Sequence, residues 1–310
     1  MKKHLIQSTV ALALMGMAAG ASADQITDVN LLDGSGNNVI PLVSPGPPPA
    51  TIQPVRTFDL SESGSGLALG AGTGVGGNPI DSTADIGREI HFLFQAYANG
   101  LLNSLGQTIV GLSPSLNPFE YTVVADMHER VVGYTDVGLP TATFVALPGS
   151  GTISIFYDTA HDSNVTTGAG FKNGVEIARF TVNGGASNFS ATSGTSGTGG
   201  TLYDGYVQAA LDFVNPNYIQ GILGNVIHAH FTSSQTLPAG TSLTSQLFGG
   251  PTGTSGIYPT TQVTTADLLT KIDASLTFFT VPEPGTLPLT VLGGALAMAM
   301  AAGSRRKHRS

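Results

Sequence analysis

Apolar side chains in this chain recur mostly at every second position, in short runs rich in β-branched and aromatic residues and bounded by Gly, Pro, Asn or Asp. Six such runs stand out, at 119–124, 142–147, 152–157, 175–182, 226–232 and 274–280. Each predicts a β-strand. The stretch from Ile90 to Leu105 carries two periods at once: Ile90, Leu93, Phe94, Tyr97, Leu101 and Leu105 suit a helix, while Ile90, Phe92, Phe94 and Ala96 alternate. It reads as a strand followed by a turn at Asn99-Gly100, and a weaker strand is expected at 67–69. Short strands, frequent turn signals and no regular strand–helix alternation predict an all-β fold, an antiparallel β-sandwich of jelly-roll or Ig-like type with Gly/Ser/Thr-rich loops.

Three segments interrupt this pattern. Pro41 to Val55 reads PLVSPGPPPATIQPV, whose prolines favour an extended polyproline spacer. Ser61 to Gly77 and Ser187 to Thr201 are low-complexity Gly, Ser, Thr and Ala runs that read as mobile surface loops, the first with the weak strand at 67–69 as its alternative. Only 10% of the 310 residues are charged, Gly supplies 41 positions and Trp none, which argues against a helix bundle. Hydrophobic residues still make up 41%, enough for a core of Val, Ile, Leu, Ala and the 14 Phe, so whole-chain disorder is excluded. With no Cys, a disulfide framework, a thiolate nucleophile and a cysteine metal site are excluded too. Half of the twelve basic residues sit at the chain ends; between Asp24 and Pro282 six cations face nineteen carboxylates, a net of −13. Such a body repels nucleic acid and anionic lipid.

The ends carry their own signals. Lys2 and Lys3 precede an apolar run from Leu5 to Ala18, and the small residues Ala21, Ser22 and Ala23 come just before Asp24. These are the parts of a secretory signal peptide, with Ala21, Ala23 and Asp24 at the peptidase site and cleavage after Ala23. At the other end Val281-Pro282-Glu283-Pro284-Gly285 leads into an uncharged apolar stretch, Leu287 to Ala302, followed by Arg305, Arg306, Lys307 and Arg309. The cations hold the tail inside and leave the body across the membrane. Sixteen helical residues reach about 24 Å, short of a hydrocarbon core of about 30 Å. A marginal anchor of this kind suits a temporary tether.

Pro282-Glu283-Pro284, the short apolar helix and the basic tail together resemble the PEP-CTERM sorting signal of Gram-negative bacteria. The resemblance covers about thirty residues, 281–310. It implies that an exosortase in the inner membrane recognises and removes the tail, releasing the body to the cell surface or the exopolysaccharide matrix. The chain then divides into a signal peptide (1–23), an extended N-terminal segment with the Pro-rich spacer (24–57), a β-sandwich body (58–280) and the sorting signal (281–310). A second stretch, Thr152-Ile153-Ser154-Ile155-Phe156-Tyr157-Asp158 followed by Thr167-Gly168-Ala169-Gly170-Phe171-Lys172-Asn173-Gly174, resembles a pattern of flocculation-associated PEP-CTERM proteins. Lys172 replaces a residue usually polar and uncharged there, and Ala169 replaces a more usual Thr. This likeness implies a part in cell aggregation within an exopolysaccharide matrix.

Chemistry-bearing residues are sparse. Gly72, Gly74 and Gly77 fit G-x-G-x-x-G, but Asn78-Pro79 follows where a nucleotide-binding helix would start, so the run reads as a loop. His228 and His230 on one strand point to the same face about 7 Å apart and would need an acidic partner from a neighbouring strand to hold a metal. The simpler expectation is a polar outer face, with Ile227, Ala229 and Phe231 inward. Asp126, His128 and Glu129 offer acid/base groups, and Asp158, His161, Asp162 and Asn164 offer ligands for calcium in a loop, though without the ligand ladder of an EF-hand. Val132 stands where a zincin's second His would be. The expected function is that of an exported, non-catalytic surface or matrix protein, without metal or cofactor. Its partners are exosortase, extracellular polysaccharide and, transiently, the inner membrane, with no nucleic acid. Two alternatives are a secreted hydrolase of matrix polysaccharide drawing on Asp126, Glu129, Asp158 and Asp162, and a calcium-dependent carbohydrate-binding module.

Overall fold

The computed structural model describes residues 25–26, 28–37, 39, 54–72, 74–112, 119–137, 140–165, 168–191, 201–222, 225–236, 247–248, 261–262, 264 and 266–280. By contacts the chain divides into a compact unit, Ile26–Phe279, and a second made of the two ends, Met1–Gln25 and Thr280–Ser310. In the first unit the strands are β1 (Gln25–Ile26, which begins in the end segment), β2 (Asn30–Leu31), β3 (Thr57–Leu60), β4 (Gly64–Ala68), β5 (Glu89–Leu102), β6 (Thr108–Gly111), β7 (Glu120–Thr135), β8 (Thr141–Ala146) and β9 (Thr152–Asp158). They continue with β10 (Val175–Ala191), β11 (Thr201–Val214), β12 (Ile219–Gln220), β13 (Asn225–Thr236), β14 (Leu247–Phe248), β15 (Thr261–Gln262) and β16 (Leu268–Thr280). One 3-10 turn, Thr83–Asp85, is the helical element of the described residues. Among those residues no helix is long and apolar enough to cross a membrane.

The class is all-β and antiparallel, as the alternation predicts. The arrangement differs from two packed sheets of jelly-roll or Ig-like type, because the principal sheet returns to its starting strand. β3 and β4 pair along successive parts of both β5 and β16, so they act as one interrupted strand. β8 and β9 do the same between β7 and β10. Counted this way, eight staves close the ring in chain order: β3/β4, β5, β7, β8/β9, β10, β11, β13, β16, and back to β3/β4. An up-and-down meander that closes leaves no free edge in the ring for another chain to extend.

Eight strands enclose a space just wide enough for side chains, and here large and small inward residues share it. Phe92, Phe94, Phe180, Phe231 and Phe278 alternate with Ala96, Ala125, Ala209, Ala229 and Ala274 in one buried cluster. Phe58 meets Tyr121 edge-on at 5.3 Å between centroids, and Phe94 meets Phe231 at 5.0 Å, the geometry that aromatic quadrupoles favour. Val29, Leu31 and Val55 from the N-terminal segment, with Ile219 and Ile222, join that cluster. The N-terminal segment is therefore part of the folded body at these positions.

Three local expectations are corrected. β5 runs straight through Asn99-Gly100, and Gly100 pairs with Asp59 and Gly111; the turn comes at Asn103–Gln107, where Asn103 Oδ1 accepts from the Leu105 and Gln107 amides and Gly106 has a φ of +72°. The Ser61–Gly77 run holds β4, whose Gly64 and Gly66 are buried. Glycine there serves close approach, since a Cβ on Gly64 would meet the Ile272 carbonyl and one on Gly66 would meet the Phe92 ring. At the start of Ser187–Thr201, β10 continues to Ala191 and pairs it with Thr201 of β11, so the flanks of this run are ladder.

Candidate functional site

Inward positions are spent on the core, so the polar chemistry sits on the outer wall of the barrel. On β5 and β7 the outward set is His91, Leu93, Gln95 and Tyr97 against His128, Asp126, Val124 and Thr122, the pairs fixed by register. Residues 159–165 and 168–174, which follow β9, cover part of this wall. Phe171 packs on Val124 and Phe156, and its carbonyl accepts from Thr122 Oγ1 at 2.7 Å. Gly170 sits at a φ of +83°, and a Cβ there would run into the Asp162 carbonyl. The Asn164 amide donates to the Ala169 carbonyl (2.9 Å), which pins the loop across its neck.

Under the loop lies a cleft of about 290 Å³ lined by Tyr97, Glu120, His161, Ser163, Asn164 and Val165. Glu120 is 2% exposed. It accepts from Ser163 Oγ (2.6 Å), the Ser163 amide (3.0 Å) and the Asp162 amide (3.2 Å), and lies 3.6 Å from His161 Nδ1. Burial pushes its carboxyl above the usual value; the bonds from Ser163 and Asp162 and the charge of His161 pull the other way. Among the described residues, the buried His161 Nε2 has no hydrogen-bond partner. A buried donor or acceptor left over beside a small cleft is a place where a ligand polar atom gains more than it would in water.

Further along the same wall His91 faces His128, their rings stacked at 4.5 Å and 11°. His91 Nε2 lies 2.6 Å from Asp126 Oδ1. Lys172, buried at the end of the loop, feels the charge of Asp126; burial lowers its ammonium to about 8, and Asp126 opposes that shift.

The residues singled out from sequence are scattered by the fold. Asp126 and His128 share the outer wall, but Glu129 faces inward, 3% exposed, and accepts from Ser187 Oγ at 2.9 Å. Asp158 Oδ1 caps the Ala160 amide at 2.9 Å, and both Asp162 oxygens accept from Asn173 Nδ2, at 3.0 and 2.8 Å. The four acids named for a hydrolase thus have four different surroundings. His228 and His230 do lie outward, with Ile227, Ala229 and Phe231 buried behind them. His230 Nε2 donates to Asp204 Oδ1 on β11 at 2.9 Å, while His228 Nε2 meets Gln208 Nε2 at 3.0 Å, so the two are engaged separately. Gly72 and Gly77 pack on the backbone of Ala266 and Asp267, with Asn78-Pro79 beyond them. Ala21, Ala23 and Asp24, the motif Pro282, Glu283 and Pro284, the apolar stretch, Arg305, Arg306, Lys307 and Arg309, and most of the Pro-rich spacer lie outside the described residues.

Sequence reading missed His91, Glu120 and Tyr97. The alternation of Ile90, Phe92 and Phe94 already turned His91 outward, but what it faces depends on a register with a strand some 35 residues on. Compared with family models, curated proteins and solved structures, the chain matches none.

Proposed function

We propose that this chain is an exported, non-catalytic protein of the cell surface or extracellular matrix that holds cells together by binding exopolysaccharide. The sequence of its ends supports export and release: signal peptide, Pro282-Glu283-Pro284, a short apolar stretch and a basic tail, handled by an exosortase at the inner membrane. A closed barrel, in place of a jelly-roll or Ig-like sandwich, serves as the scaffold that carries the binding loops.

The observation that carries the binding role is the cleft under residues 161–165. It combines an aromatic face (Tyr97), a buried carboxylate (Glu120), an imidazole nitrogen with no partner among the described residues (His161) and an amide (Asn164). Sugars are bound by such mixtures, in which ring C–H groups lie on an aromatic face and hydroxyls satisfy fixed polar atoms. The excess of acid over base in the body favours a neutral or cation-bridged polysaccharide over a densely anionic one.

The test is complementation of cells lacking the gene, with floc sedimentation as readout and secreted polysaccharide measured in parallel. Wild-type chain is expected to restore sedimentation with polysaccharide output unchanged. His161→Ala is expected to weaken retention of exopolysaccharide purified from the culture medium about fivefold, the scale of one lost hydrogen bond. Deletion cells that sediment like the parent would overturn the reading.

A further inference from the structure

We propose that His91, Asp126 and His128 bind one divalent transition-metal ion, zinc or copper(II), on the outer wall of the barrel. The inference rests on side-chain geometry alone and stands apart from the polysaccharide reading.

His91 on β5 and His128 on β7 are direct cross-strand partners, and Asp126 is the next outward residue along β7, opposite Leu93. Each offers one donor atom, and the three donors all lie within 4.8 Å of one another. Ligands held about 2.1 Å from a tetrahedral zinc ion sit about 3.4 Å apart, a separation these side chains reach by tilting about χ1 and χ2. One edge of the triangle is already tighter than that, with His91 Nε2 2.6 Å from Asp126 Oδ1 and a proton between them. A metal ion takes that proton's place, and His91 shifts to its Nδ1–H tautomer. The stacked rings hold the second nitrogen beside the first.

The frame is rigid and reachable. β7 is paired on both sides by β5 and by β8/β9, and β5 is paired by β4 beyond His91, so the donors lose little freedom on binding. The His91 side chain is 32% exposed and that of Asp126 22%, which opens a path for the ion and leaves a coordination position towards solvent.

Donor chemistry selects the metal. Two imidazoles and one carboxylate suit zinc or copper(II). Calcium and magnesium prefer six or more oxygens, and copper(I) prefers sulfur, which a chain without Cys supplies only through Met. Lys172 stands beside Asp126 as an opposing charge, so the site is built for modest affinity. His228 and His230 form no comparable three-donor group among the described residues.

The experiment uses the full-length chain, purified without a histidine tag. Zinc chloride is titrated by calorimetry, and the copper(II) complex is examined by electron paramagnetic resonance. The expected results are one equivalent of zinc bound with modest affinity and a copper spectrum split by two nitrogens. His91→Ala, His128→Ala and Asp126→Asn should each weaken zinc by about tenfold or more; Lys172→Met should tighten it; and the double variant His228→Ala/His230→Ala should bind as wild type. Unchanged zinc binding in folded His91→Ala and His128→Ala, loss of binding in the His228/His230 double variant, or a wild-type copper spectrum without coupling to two nitrogens overturns the proposal. The last measurement needs no variant, so it decides even where a substituted chain fails to fold.

Discussion

Glu120 Oε2 lies 3.6 Å from His161 Nδ1 and accepts from Ser163 Oγ at 2.6 Å, all beneath a loop that seals the carboxylate from water. Burial raises this carboxyl above its usual value of 4.5. The folded chain therefore holds the proton more tightly than the unfolded chain does. The stability this group contributes is present at low pH and lost as pH rises through its folded pKa. Glu120→Gln removes that dependence. The melting temperature of the variant, taken relative to wild type, should rise as pH climbs from below 4.5 towards neutrality; parallel curves for the two chains would contradict the assignment.

Tyr121 is wholly buried among Phe58, Phe119 and Tyr157, and its hydroxyl has no partner among the described residues. An unpaired buried hydroxyl costs stability that no bond returns. Tyr121→Phe is expected to stabilise the chain by about 1 kcal/mol, or roughly 2–4 °C in Tm for a domain of this size. A Tm below that of wild type would mean the hydroxyl is satisfied.

Gly64 lies where β4 joins β16 to close the barrel, and a Cβ there meets the Ile272 carbonyl, which is backbone and cannot turn aside. Gly64→Ala should destabilise by about 1–3 kcal/mol, the usual cost of overpacking. A substitution at Gly36, where a Cβ meets nothing within 4 Å, costs only the strain of its +87° φ. Equal losses at the two positions would argue against tight closure at this seam.

Asp59 and Asp273 occupy neighbouring outward positions on β3 and β16. Burial raises the Asp59 carboxyl, and the charges of Asp273 and Glu62 add to the effect. Asp59→Asn should raise stability at pH 7 by about 0.5 kcal/mol, the scale of a like-charge pair across a sheet. The gain should shrink in high salt and vanish at pH 3, where the acids are protonated. Chemical denaturation at these conditions reads it directly.

Strand existence was legible from the sequence wherever one face is buried, because period-two alternation encodes that face. His228 and His230 were correctly turned outward on this basis, with Ile227, Ala229 and Phe231 inside. Closure was not legible, since it depends on which strands pair, and short interrupted staves such as β3/β4 carry no local mark of being one. Glycine composition misled at Gly64 and Gly66, where the absence of a side chain permits contact and confers no looseness. The same gap hid the two sites. Asp126 and His128 were visible as a pair two residues apart, yet His91 joins them only through the β5–β7 register, and Glu120 meets His161 only because residues 159–165 fold back over the wall.

Export with removal of the tail remains the claim from which the biological role follows. Intact-mass and terminal-peptide spectrometry of the protein recovered outside the cell reads both new ends in one measurement. The expected species begins at Asp24 and ends within 282–285, after the tail has been cut away. Extracellular protein that still carries Arg305–Arg309, or a chain found only inside the cell, would contradict it.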